Sequence, residues 1–203
     1  MRSTNRRVFL KEAGTVLTTG AVLGVSAFGS KSQGAEQTTQ TSNNSNSSKK
    51  MKIIIAADPF AVSLKKAVAQ YLKEKGHEVI DLGSTEEKEM PYYECGATAC
   101  KALQAGKADR AILFCGTGMG MAIVANRFKG VTAAVVESVF AAKMCRAINN
   151  ANVLCLGAMI WGEWMAKEAV EVFLTTNLAD GLPKLTDFLK DAEKKVDALN
   201  KGQ

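Results

Sequence analysis

From residue 51 onward the apolar and polar positions follow two alternating periods. Lys52-Ile-Ile-Ile-Ala-Ala-Asp58 is a continuous apolar run that stops at an aspartate, the pattern of a strand buried on both faces. Leu64, Val68 and Leu72 then recur at helical spacing, predicting an amphipathic helix over 63–75 that Gly76 terminates. The same alternation continues along the chain. Strands are predicted over 77–82, 111–114, 131–136 and 152–156, and helices over 91–105, 118–127, 139–148, 162–174 and 185–199. Pro91 is tolerated in the first turn of its helix. Apolar strands alternating with helices predict an α/β fold with a five-stranded parallel sheet covered on both faces. Ligands bind such sheets at the carboxyl ends of the strands, where Asp58, Cys115 and Glu137 all fall.

The first 50 residues do not share this pattern. Asn5-Arg6-Arg7-Val8-Phe9-Leu10-Lys11 matches a twin-arginine export signal, and the apolar stretch over 16–28 is too short for an ordinary membrane span. Ala27, Gly29 and Ala35 are candidate cleavage positions. Residues 30–48 are mostly Ser, Asn, Gln and Thr, too polar to bury a core, and read as a linker. The expected organisation is a signal segment over 1–29, a linker over 30–50 and one folded domain over 51–203. A twin-arginine signal implies a chain that folds before export by that machinery and works in the periplasm.

This division changes the meaning of the charge. The chain has 26 Lys and Arg against 20 Asp and Glu, a net +6, but residues 1–50 hold seven of the basic and two of the acidic residues. The remainder is nearly neutral, at 19 against 18, and carries no basic stripe with interleaved aromatics, which argues against a nucleic-acid partner.

All five cysteines lie in the domain, none in a C-x-x-C pair, and His77 is the only histidine. That set lacks the ligand spacing of a zinc site, so neither a metal nor a cofactor is expected. Cys95, Cys100, Cys145 and Cys155 read as buried small hydrophobes. Cys115 differs, because it stands where a predicted strand meets Cys115-Gly-Thr-Gly-Met-Gly120. Its spacing is not that of the dinucleotide fingerprint. Glycines at alternate positions expose backbone amides that can receive an oxyanion, and the cysteine beside them supplies a base or a nucleophile. The competing reading is a turn whose glycines only solve packing.

Several segments together resemble the ribose-5-phosphate isomerase B / galactose-6-phosphate isomerase family. They are Lys52-Ile-Ile-Ile-Ala-Ala-Asp58, Gly76-His-Glu-Val-Ile-Asp81, Cys115-Gly-Thr-Gly-Met-Gly120, Ala125-Asn126, and Asn149-Asn-Ala-Asn-Val-Leu154 followed by Leu156-Gly157-Ala158. The resemblance runs from residue 51 to about 181. It implies a Rossmann-like three-layer αβα sandwich, a homodimer with active sites near the subunit boundary, and metal-free aldose–ketose isomerisation of a sugar or sugar phosphate. Cys115 is then the base. Thr117 and the amides of Gly116, Gly118 and Gly120 stabilise the enediolate, while Asp58 and Asn149 orient sugar hydroxyls. As purely structural residues, Asp58 would be a cap and Asn149 a turn residue.

The chain also departs from the family. Pro59 stands where the family has a histidine, and Ile148 replaces the ring-opening histidine before the asparagine. Some members carry a histidine where this chain has Glu137, the remaining candidate for proton transfer to a ring oxygen, unless it is only a solvated loop carboxylate. The phosphate-gripping arginines are missing from the segment around 181–187, leaving Lys184 for one contact that is not bidentate. His77 begins the second strand, at the far end of the sheet, and reads as a surface histidine. Trp161 and Trp164 open a helix and read as packing or dimer contacts.

The resulting expectation is an isomerase diverged in substrate and weak on ribose 5-phosphate. The alternatives are a non-catalytic periplasmic sugar- or anion-binding protein on the same scaffold, and a thiol-dependent activity at Cys115.

Overall fold

A computed structural model describes residues 50–199. The expected signal segment, and the linker up to residue 49, lie outside the described residues.

Strand β1 (Lys52–Ala57) leads through a 3-10 turn (Pro59–Ala61) into α1 (Val62–Glu74), followed by β2 (Glu78–Asp81) and α2 (Tyr92–Gln104). Next come β3 (Arg110–Cys115), α3 (Met119–Ala125), β4 (Ala133–Val135), α4 (Val139–Asn149) and β5 (Val153–Gly157). Helix α5 (Glu163–Thr175), a second 3-10 turn (Pro183–Leu185) and α6 (Thr186–Leu199) complete the domain. The strands form one parallel sheet in the order β2-β1-β3-β5-β4.

Strand periodicity divides the core into two layers. Ile53, Ile55, Ile112, Phe114, Leu154 and Leu156 face α1, α4 and α5, where Leu64, Val68, Ala142, Val170 and Phe173 meet them. The intervening Ile54, Leu113, Cys115, Val153 and Cys155 face α2 and α3, against Cys95, Ala99, Met121 and Ala125. Each fully buried aliphatic side chain contributes about 1.5–3 kcal/mol. Together these residues build the expected three-layer αβα sandwich with a five-stranded parallel sheet.

Strand β4 is shorter than the apolar run predicts, and its outer side shows why. The Asn126 amide accepts from Ala133 N–H at 2.9 Å and donates to Ala133 O at 2.9 Å, so a side chain occupies the edge that a further strand would use. A side chain that blunts an edge strand in this way limits unwanted pairing. On the β5 side just upstream, Asn152 accepts from Thr132 N–H at 2.9 Å and donates to Gly130 O at 2.8 Å.

Two sequence readings need correction. His77 is not a surface residue: it is 8% exposed, and its Nδ1 accepts from Met51 N–H at 3.3 Å. Burial lowers its pKa below the ordinary histidine value. Trp161 precedes α5 rather than opening it. It is buried, and its indole N–H donates to Val136 O at 2.9 Å, tying the exit of β5 to that of β4. Trp164, in the first turn of α5, is exposed.

One buried charge organises the segment between β2 and α2. Lys65 is 1% exposed; its Nζ lies 2.7 Å from Asp81 Oδ2 and donates to Ser84 O at 2.6 Å. Ser84 in turn hydrogen-bonds its N–H to Ala57 O at 2.8 Å, and its hydroxyl to Met90 N and Met90 O at 2.8 and 2.9 Å. The segment is thereby clamped onto the end of β1, next to Asp58. The Asp81 side chain is 42% exposed, so the two partners differ in what their loss leaves behind. Asp81→Ala strands a buried ammonium and is expected to cost about 3 kcal/mol. Lys65→Met leaves a carboxylate that water can reach, and is expected to cost about 1 kcal/mol. Urea unfolding followed by circular dichroism measures both, and equal costs would refute the asymmetry.

Candidate active site

β1 and β3 lie side by side, but the helices that follow them leave to opposite faces, α1 to one layer and α3 to the other. Their carboxyl ends therefore part into a crevice, the usual ligand position of such sheets. Asp58 stands at the end of β1, its N–H donating to Phe114 O at 3.1 Å. Its Oδ1 accepts from Phe60 N–H at 3.1 Å and caps the 3-10 turn. Burial raises the carboxyl above the usual aspartate range, with the amides of Phe60 and Ala61 acting in the opposite direction.

On the other side of the crevice, Cys115 ends β3 and is 5% exposed. The chain turns back immediately, so that Gly118 N–H donates to Cys115 Sγ at 3.0 Å. Such a bond is stronger to a thiolate than to a thiol. This turn requires glycine at 118, where φ is +80° and a Cβ would stand 3.0 Å from the Leu156 carbonyl carbon. Thr117 Oγ1 accepts from Met119 N–H at 3.4 Å.

The exit of β5 supports the loop from below. A Cβ on Gly157 would lie 2.5 Å from the Thr117 carbonyl carbon, so the two backbones pass at a separation only glycine permits. Ala158 N–H then donates to Cys115 O at 2.8 Å and Met159 N–H to Gly116 O at 2.9 Å. The carbonyls of the loop are thus engaged underneath. Among the described residues, the N–H groups of Gly116, Thr117 and Gly120 donate to no protein atom. A thiol thus stands beside unused donors, an arrangement that could serve chemistry in which a proton leaves carbon and charge develops on oxygen.

The remaining thiols are shielded. Cys95 Sγ lies 3.0 Å from Pro91 O, 3.2 Å from Met90 O and 3.3 Å from Ala57 O, and pins the start of α2 to the end of β1. Burial pushes the pKa values of Cys95, Cys100 and Cys145 up to about 11, and holds that of Cys155 well above the ordinary thiol value. Among the described residues, no group of three or more His, Cys, Asp or Glu side chains is placed to hold a metal ion.

The other candidate residues are spread over two edges of the sheet. Glu137 is exposed just beyond β4, on the same edge as Cys115 but two strands away, roughly 10 Å along the sheet. Asn149 ends α4, which runs back from that edge, so it lies at the opposite edge with the start of β5. The turn carrying Lys184 joins it there, since Leu185 packs with Ile148, Ala179 and Leu189, and Ala179 N–H donates to Ala147 O at 2.8 Å. Buried Arg146 fixes this corner through Ala151 O at 2.8 Å and Thr176 O at 3.3 Å, and burial lowers its pKa to about 10. Within one chain, therefore, Asp58, Cys115, Thr117 and Gly116, Gly118 and Gly120 come together, whereas Asn149 and Lys184 do not join them.

One residue at the crevice was not picked out from the sequence. Tyr92 opens α2, and its ring lies against Gly120. The signal was present in Pro91-Tyr92-Tyr93, an aromatic pair directly at a helix start.

Known proteins are similar to this chain in sequence and fold. The Ribose/Galactose Isomerase family profile matches residues 53–186. The 4-deoxy-4-sulfo-D-erythrose isomerase of Clostridium sp. (strain MSTE9) is 45% identical over 154 residues, covering 75% of this chain and 97% of that protein. The D-erythrulose-4-phosphate isomerase of Pectobacterium atrosepticum is 39% identical over 132 residues, covering 64% of this chain and 87% of that protein. The crystal structure of a ribose 5-phosphate isomerase from Thermotoga maritima superposes with a TM-score of 0.66 at 36% identity, covering 73% of this chain and 98% of that one.

Proposed function

The chain belongs to the ribose/galactose isomerase family, and on that premise we propose that this aldose–ketose isomerase acts on a four-carbon sugar bearing a terminal sulfonate or phosphate. The observation that carries the chemistry is the hydrogen bond from Gly118 N–H to Cys115 Sγ, beside the unused amides of the same loop. Cys115, as thiolate, takes the proton from C2 of the open-chain aldose. The C–H electron pair becomes the C1=C2 bond, and the carbonyl pair moves onto O1, facing the amides of Gly116, Thr117 and Gly120. The proton returns to C1, that of the O2 hydroxyl passes to O1, and the ketose leaves with no atom gained or lost.

The choice of four carbons rests on what the crevice lacks. Pro59 and Ile148 stand where the resemblance places histidines, Glu137 stands where some members carry one, and the chain's one histidine, His77, sits at the start of β2 on the opposite edge. A pentose phosphate must be opened from its furanose ring before C2 can be deprotonated. A tetrose whose C4 carries the anion has no O4 hydroxyl to close a furanose, so it needs no ring-opening acid, and Glu137 has no ring to open. Two of the similar proteins, at 45% and 39% identity, are named for four-carbon substrates. Asp58 is placed to orient a hydroxyl through whatever capacity the cap leaves it.

We further propose a homodimer that brings Asn149 and Lys184 of one protomer to the Cys115 edge of its partner, with Lys184 on the terminal anion. Large apolar side chains are exposed around the Cys115 edge, among them Phe60, Phe140, Met159 and Trp164, and a second copy would cover them. Export rests on Arg6 and Arg7, which lie outside the family match at 53–186.

Three measurements test these readings. In heavy water, NMR is expected to show solvent deuterium entering erythrose 4-phosphate beside the carbonyl, with little exchange into ribose 5-phosphate. Cys115→Ala should lower the rate about 10²- to 10⁴-fold. Exchange into ribose 5-phosphate at an equal rate would overturn the four-carbon reading, and ligand-induced shifts without any exchange would favour a binding protein. Mixing Cys115→Ala with Asn149→Ala, each inactive alone, should restore about a quarter of the wild-type activity, because half of the dimers are hybrid and each holds one intact site; no recovery would refute the shared site. Replacing Arg6 and Arg7 by lysine should retain the protein in the cytoplasm, and unchanged secretion to the periplasm would exclude the twin-arginine route.

A further inference from the structure

Tyr92 is held at the crevice by contacts that have nothing to do with its own chemistry. The start of α2 is pinned to β1 by the Cys95 thiol, in contact with Ala57 O, Met90 O and Pro91 O. The preceding segment is clamped by Ser84 and Lys65. From this fixed origin the Tyr92 ring reaches across to the glycine loop. A Cβ at Gly120 would stand 2.9 Å from its Cδ2 and 3.0 Å from its Cε2, so the ring is in full contact with the Gly120 backbone. Tyr93 meets it edge-on, with centroids 5.5 Å apart and the planes at 82°. The ring thus reaches from the start of α2 to the last glycine of the loop, on the α2/α3 side of the sheet, and it remains 42% exposed.

We propose that Tyr92 is a specificity-determining residue whose ring limits how long a sugar the crevice accepts. The inference rests on the isomerase reading above. A substrate with C2 at Cys115 Sγ and its oxygens toward the loop amides carries its remaining carbons out past Gly120, where the ring forms the wall. Four carbons fit within that wall, and a fifth pushes the anionic end against an aromatic face that its supports do not let move.

The test compares two ketoses, D-erythrulose 4-phosphate and D-ribulose 5-phosphate. Phosphorylation of the terminal hydroxyl keeps both open-chain, so ring opening does not enter the comparison. The readout is kcat/KM for each in wild type, Tyr92→Ala, Tyr92→Leu and Tyr92→Phe. Tyr92→Ala is expected to raise the ratio of five-carbon to four-carbon turnover about tenfold or more, mainly through a lower KM for the longer sugar. Tyr92→Leu, which keeps apolar contact with Gly120, should move it the same way by a smaller factor, and Tyr92→Phe should leave it unchanged. A ratio unmoved in both Tyr92→Ala and Tyr92→Leu overturns the proposal, as does an effect of Tyr92→Phe equal to that of Tyr92→Ala, which would assign the role to the hydroxyl. Wild-type protein that turns over neither ketose, nor the corresponding aldoses, nor the four-carbon sugar with a terminal sulfonate, would refute the isomerase reading itself and the proposal with it, a result distinguishable from active enzyme with an unmoved ratio.

Discussion

The passage of Gly157 beneath Thr117 is the contact on which the rest of the site depends. Where β5 leaves the sheet, its backbone comes so close to the glycine loop that no Cβ fits between them, and the next two amides bind the carbonyls of Cys115 and Gly116. Those two bonds orient the peptide planes of the loop. With its carbonyls held from below, the loop presents amides rather than carbonyls to the crevice, and Gly118 can turn back through a left-handed conformation to reach the Cys115 sulfur. A preorganised set of donors is worth more in catalysis than donors that must reorient as charge develops. Here the sheet itself supplies the preorganisation, because β3 and β5 are adjacent central strands that cannot shift register without exposing Phe114 or Leu156.

The same sheet explains why one chain holds only part of the candidate site. A parallel sheet sends every helix back to the amino edge, so α4 necessarily carries its last residue, Asn149, away from the carboxyl edge at which its first residue lies. The C-terminal turn with Lys184 then docks on that remote corner through Leu185 and Leu189. No movement of side chains within the protomer closes the distance between the two edges. The division is a property of the topology, and it is what the proposed dimer would answer by pairing opposite edges.

Much of this was legible in the residues. The strand and helix order follows from two hydrophobic periods, and the position of Cys115 at a strand end follows from an apolar run that stops at glycine. What the sequence hid was any role that depends on a partner far along the chain. Lys65 sits beside Leu64 on the apolar stripe of α1, and only the return of Asp81 and Ser84 to its ammonium reveals why a lysine is buried there. Asn126 reads only as the end of a helix and Asn152 as the start of a strand, yet their side chains satisfy the backbone at the start of β4, Asn126 on its outer edge and Asn152 on the β5 side. His77 reads as a surface residue because it borders a turn, but Met51 N–H needs an acceptor at the start of β1, and burial follows. Tyr92 shows in the sequence only as half of an aromatic pair at a helix start, because its partner Gly120 is 28 positions away.

The replacement at residue 59 connects the fold to the proposed chemistry. Asp58 caps the 3-10 turn with its carboxylate, and Pro59 occupies the first position of that turn, where its fixed φ suits the conformation and its missing N–H has no bond to lose. Proline is therefore a good structural choice at this position provided that no imidazole is needed there. At Ile148 the change is of the same kind: its side chain packs with Ala179, Leu182 and Leu185 and supports the C-terminal corner. Both positions hold side chains that serve the local fold, while Cys115, Thr117 and the glycines stay together at the crevice, as the proposed deprotonation of carbon requires. That combination suits a substrate presented already open, for which deprotonation at C2 is the whole chemical problem and any ring-opening group would be idle.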